Sequence, residues 1–155
     1  MPFRAVGLPL AEFASLFALG DHALAAQGMR RMTADSKPGF PCRVTLEDAE
    51  PGESLILLTY RHQRADTPYR ASGPIFVREK AQAPFDAVDT VPVVLRGRSL
   101  SLRAYDAAGF MRDADVVEGA AVEDAIARLF ADAAISYLHI HNAKRGCFAC
   151  RVERA

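Results

Sequence analysis

No stretch of this sequence approaches the ~20 consecutive apolar residues of a membrane-spanning helix, so a bilayer is not an expected partner. The first two dozen residues are apolar, yet they carry Arg4, Glu12 and Asp21. They lack the basic-then-apolar order of a secretion signal and read as folded protein. Cysteine is scarce and odd in number, three in 155 residues, which excludes a disulfide framework. With no signal segment, the expected setting is a reducing cytoplasm. Net charge is missing as well, with 19 basic against 19 acidic residues. That argues against nucleic-acid binding by bulk positive charge, although a local basic pocket stays open. Little self-repulsion leaves a homodimer open too. Neither a phosphate-binding loop nor a dinucleotide fingerprint is present, and there is no internal repeat.

What is present suits one ordinary domain spanning residues 1–155. Half the residues are apolar and a quarter charged. A chain of this length buries roughly 70% of its unfolded surface without staples. Leu10, Phe13 and Phe17 form a helical stripe after Pro9, ended by Gly20, and Asp21 can cap a second short helix. Strands are expected near residues 29–34, over Cys42–Leu46, over Glu53–Arg61 and over Gly73–Arg78. Residues 62–72 read as a long polar loop and residues 81–90 as irregular. Leu100–Tyr105 alternates and turns at Asp106–Gly109 into a partner strand. Val122, Ile126, Leu129 and Phe130 mark one late helix, and residues 135–142 pair with 147–154 as a closing hairpin. This order predicts an α+β fold, mainly antiparallel sheet, with N-terminal helices, one late helix and a C-terminal β-hairpin.

The hairpin carries the densest chemistry. In Tyr137-Leu138-His139-Ile140-His141-Asn142, alternate side chains share a face, so His139 and His141 point together, about 7 Å apart at Cα. Leu138 and Ile140 then face the core. Two such rings can chelate a metal, zinc included, or act as an acid/base pair. A four-residue turn over 143–146 sets Asn142 against Cys147 and His139 against Cys150, while a bulge shifts that parity. Three readings stand open. His139 and His141 are ordinary strand residues beside packing cysteines; or they ligate a metal together with Cys42, His62 or a hairpin cysteine; or Cys147 or Cys42 is a thiol nucleophile activated by a nearby His or Arg.

Further candidates lie elsewhere. Cys42-Arg43 follows Pro41 at an expected strand start. Arg61 and Arg70 offer forked donors to a carboxylate or phosphate, and Tyr69 a stacking face. Arg103 and Tyr105 share a strand face. Each of these also has a plain reading as a solvated or core residue.

The combination of Phe40-Pro41-Cys42-Arg43, Pro68-Tyr69-Arg70 with Gly73-Pro74-Ile75-Phe76-Val77, Leu102-Arg103-Ala104-Tyr105-Asp106, and His139-Ile140-His141-Asn142-Ala143 with Gly146-Cys147 resembles the bacterial family catalogued as domain of unknown function 1203. The resemblance runs in order along essentially the whole chain. It implies a bacterial one-domain protein of this length and supplies no activity. It marks Cys42, Arg43, Tyr69, Arg70, Arg103, His139, His141, Asn142 and Cys147 as candidate site residues. The working expectation is one pocket for a small, anionic molecule. In it Arg43, Arg70 or Arg103 would bind the ligand, His139 or His141 would act as acid/base or metal ligand, and Cys147 or Cys42 as nucleophile. A dimeric interaction module and a metal-binding protein are the alternatives.

Overall fold

Leu138 and Ile140 alternate with His139 and His141, and this alternation sets the two faces of the larger sheet. The computed structural model describes residues 2–155. The strands are β1 (Phe3–Val6), β2 (Arg30–Thr33), β3 (Ser54–Gln63), β4 (Ala71–Arg78), β5 (Asp86–Val88), β6 (Ser99–Tyr105), β7 (Met111–Glu118), β8 (Tyr137–Asn142) and β9 (Phe148–Arg154). The α-helices are α1 (Asp21–Ala26) and α2 (Val122–Phe130). A six-stranded sheet runs β5-β1-β9-β8-β6-β7, and a three-stranded sheet runs β2-β3-β4. Every strand pairing within them is antiparallel, so the α+β class read from the sequence holds.

The first core lies between the large sheet and α2. Leu138, Ile140, Leu100, Leu102 and Val152 meet Val122, Ile126, Leu129 and Phe130 there. The helix forms because its apolar residues recur every three to four positions, making one stripe that the sheet covers. A second core joins Ile56, Leu58, Ile75 and Val77 of the small sheet to Phe13, Leu24, Cys42 and Val44. No helix among the described residues is long and apolar enough to cross a membrane.

Local readings need correction in several places. The stripe at Leu10–Phe17 forms two 3-10 turns, Leu10–Glu12 and Ala14–Ala18, and not an α-helix. Residues 86–88, expected to be irregular, make the edge strand β5. The expected strand over Cys42–Leu46 does not form. Pro41 and Cys42 make only single bridges, to Asp48 and Phe76, and the chain turns at Leu46, where φ is 54°. That loop is clamped instead: Leu8 N–H donates to the Arg43 carbonyl and Phe85 N–H to the Val44 carbonyl, each at 2.8 Å. The loop comes so close to Gly7 that a Cβ there would collide with the Val44 carbonyl oxygen. Finally, β3 runs on through His62 to Gln63, so His62 belongs to a strand and not to the polar loop.

Candidate functional site

Three imidazoles meet where the two sheets approach each other. β8 sends His139 and His141 to the face opposite α2, and β3 supplies His62. One ring nitrogen from each lies within 4.8 Å of the others. The rings pack edge-on, His62 to His141 at 4.9 Å and His62 to His139 at 6.2 Å between centroids. His139 and His141 are 2% and 1% exposed, so they line an inter-sheet site and not an outer surface. His22, the fourth histidine, stands on α1, apart from this group.

Two bulges aim the side chains. In β3 the register slips between Arg61 and Gln63, leaving His62 as the extra residue. His62 and Gln63 consequently both line one cavity of about 310 Å³, shared with Tyr137, His139, Phe148 and Arg151. In β9 the register slips between the Ile140–Cys150 and His141–Phe148 pairs, leaving Ala149 as the extra residue. Asn142 does oppose Cys147, its N–H donating to the Cys147 carbonyl at 2.8 Å, as the four-residue turn predicts. Beyond Ala149 the parity reverses. Cys150 goes into the core, and Arg151 takes the place across from His139. Strand bulges of this kind redirect side chains and gather near functional sites.

The polar state of the rings is unusual. His141 Nδ1 lies 2.9 Å from the Gly146 carbonyl, which fixes the proton on Nδ1 and leaves Nε2 as a lone pair. That Nε2 is buried without a partner among the described residues, and so are His62 Nδ1 and His139 Nδ1. Burial pushes His139 down to about 3, helped by Arg151. Burial also pushes His141 down to about 4 against the Gly146 bond, which favours the charged form. His62 shifts down through burial and the charge of Arg103. All three rings are thus neutral near pH 7, the form that ligates metals. Tetrahedral zinc with nitrogen bonds near 2.1 Å holds its ligand atoms about 3.4 Å apart, a modest closing of the present spacing by side-chain rotation.

Around the rings lie aromatic walls. Phe148 stacks on His62, parallel within 2° at 5.3 Å, and Tyr105 lies 5.2 Å from His139. Arg151 sits over the Tyr137 ring at 3.9 Å and pairs with Glu153. Tyr137 Oη and the Gln63 amide share a hydrogen bond of 3.0 Å.

The expected site residues divide into separate places. Arg103 is paired with His139 across the β6–β8 ladder and acts electrostatically on all three histidines. Arg43, Asn142 and Cys147 line a different cavity, beside the hairpin turn. Cys42 is fully buried in the second core, its sulfur accepting from Arg78 N–H at 3.4 Å. Arg70 pairs with Asp66 at the surface and borders a shallow depression with Arg61 and Arg64. Tyr69 touches Tyr105 and Phe110 and reaches the histidines only through Tyr105. Cys42, Arg70 and His141 therefore do not share a pocket: the loop that would have carried Cys42 into one is folded against the small sheet. Sequence reasoning offered His62 as one of several third ligands and passed over Gln63, Phe148 and Arg151. Their positions follow from the two bulges, which leave no mark in residue spacing.

Comparison with curated proteins and with solved structures gave no match. Residues 39–154 match the family described as protein of unknown function (DUF1203), and the match takes in every residue of both cavities except Leu8; the chain belongs to that family.

Proposed function

We propose that the protein binds one divalent metal ion, zinc first among candidates, through His62, His139 and His141, and uses it to act on a small anionic molecule. One observation carries this reading: three neutral imidazoles converge at a buried point, each with an unpartnered ring nitrogen. A buried polar atom left unpaired costs about 1–3 kcal/mol, and a metal removes that cost for all three together. The hold of the Gly146 carbonyl on His141 Nδ1 is the outer bond that metal-ligating histidines usually make. Three protein ligands leave a fourth position free, as catalytic zinc sites do and structural ones do not. The cavity beside His62 and His139 gives that position room for water or substrate. A metal there lowers the pKa of bound water and polarises a bound oxygen.

The anionic substrate follows from charge. Arg103 makes no ion pair among the described residues, and Arg151, though paired with Glu153, lines the cavity; the first charge fully and the second in part raise the cost of a bare dication. An anion at the open position offsets them. The three free thiols suit a reducing compartment, and the cytoplasm remains the proposed setting.

The test is metal titration of chelator-stripped protein, followed by elemental analysis and the visible spectrum of the cobalt form. One metal per chain is expected, with a nitrogen-ligated tetrahedral cobalt spectrum. His62→Ala, His139→Ala and His141→Ala should each weaken binding by more than the roughly 10–100-fold typical of outer partners, and His22→Ala should leave it unchanged. Sub-stoichiometric metal in the folded wild type would end the reading and leave a neutral, packed histidine cluster.

A further inference from the structure

The second cavity, about 460 Å³, opens beside the turn that joins β8 to β9. Its floor holds Arg43, which is 2% exposed. The Arg43 Nε donates to the Phe148 carbonyl at 2.7 Å and Nη1 to the Pro41 carbonyl. These acceptors are neutral, and no Asp or Glu among the described residues makes an ion pair with Arg43. A guanidinium does not give up its proton in a protein, so this is a buried positive charge without a counter-charge, an arrangement proteins seldom keep unpaired. Lys144 and Arg145 stand at the rim, also without an acid partner among the described residues. Arg98 is already matched by Asp48 at 2.7 Å. Glu118, the one acid on the lining, accepts from the Ser99 hydroxyl at 2.6 Å. The cavity is thus cationic overall.

On its wall sits Cys147. Its sulfur accepts from Asn142 Nδ2 at 3.4 Å and interacts with the Arg43 guanidinium. It is half-buried, whereas Cys42 and Cys150 are sealed at 0% and 1% exposure. Beside it, Asn142 Oδ1 is buried without a partner.

We infer that this cavity is a binding site for a small oxyanion, a carboxylate or a phosphate, seated over the buried Arg43 with the Cys147 sulfur against it. The site is distinct from the histidine cluster and does not depend on metal. Its anion supplies the counter-charge that Arg43 lacks, and the rim cations draw it in.

Cys147 makes the site measurable through alkylation of metal-free protein with two reagents of similar size, anionic iodoacetate and neutral iodoacetamide. In each case the sulfur displaces iodide and forms one S–C bond. The ratio of the two rates at Cys147, located by peptide mass spectrometry, is referred to the same ratio in the urea-unfolded chain. A ratio raised by at least about tenfold is expected, within the range of electrostatic focusing in charged clefts. Inorganic phosphate and acetate, tried separately, should slow the iodoacetate reaction saturably, and whichever protects at lower concentration identifies the headgroup. The double variant Lys144→Glu/Arg145→Glu, altered only at exposed positions, should return the ratio most of the way to the unfolded reference. Arg43→Lys adds a second check at the floor, provided its melting shows it folded. A ratio equal to the unfolded reference overturns the inference, and so does a raised ratio that neither anion suppresses.

Discussion

His139 and His141 stay neutral inside the molecule at pH values where free imidazoles are charged. In the unfolded chain each would titrate near 6.5, but in the folded, metal-free protein they titrate at about 3 and about 4. Between those values the unfolded chain binds more protons, so stability rises with pH. The full contribution is present above about pH 6.5 and drains away as pH falls toward 4, at a slope approaching about 1.4 kcal/mol per unit for each ring. Urea unfolding in the presence of chelator, from pH 7 down to 4.5, should show this loss, and His139→Gln should flatten it. A second residue-scale expectation concerns Glu53, whose carboxylate takes both Arg78 Nε and Nη2, at 2.8 and 2.6 Å. The Glu53 side chain is 2% exposed. Glu53→Gln leaves Arg78 with only the more distant, exposed Glu47 at 3.7 Å and should cost up to roughly 3 kcal/mol in urea unfolding. Arg70, paired with a 99% exposed Asp66 side chain, should be replaceable by Ala at almost no cost.

At the scale of elements, β8 separates stability from chemistry by its pleat. Ile140→Ala opens a cavity against α2 and should cost about 2–5 kcal/mol, yet the variant that remains folded should bind metal at the wild-type ratio. His141→Ala should do the reverse. Calorimetric melting paired with metal titration on both variants checks this. The alternation that makes this division was legible in the sequence, because period-two patterning in a half-buried strand has one solution. The late helix was legible for the same kind of reason, its apolar residues falling on a single stripe. The loop over residues 42–46 was not. Cys-Arg-Val-Thr-Leu has the composition of a strand, but its long-range backbone partners are Leu8, Phe76 and Phe85, contacts that no local pattern announces. His62 was half legible: its chemistry was visible, but its place at a strand bulge was not. The sequence also suggested that the candidate residues share one pocket. Packing divides them, because β9 passes between Arg43 on one side, which takes the Phe148 carbonyl, and the histidines on the other, which take the Phe148 ring.

Taken whole, the molecule is two sheets that share the histidine cluster unequally: His62 comes from the small sheet, and His139 and His141 from the large one. A metal bound by all three would tie the sheets together. Saturation at 100 times the dissociation constant adds about 2.7 kcal/mol to stability. Hydrogen exchange should then slow at β3 as well as at β8 and β9. Protection confined to β8 and β9 would count against His62 as a ligand. The slip at Ala149 carries a consequence for chain length. The ladder meets Phe148 and Cys150 with consecutive residues of β8, so a hairpin lacking Ala149 keeps each remaining side chain of β9 on its present face. Natural or engineered shortening at that one point should be silent for ion content, whereas loss of Arg151 brings Val152 opposite His139 in its place.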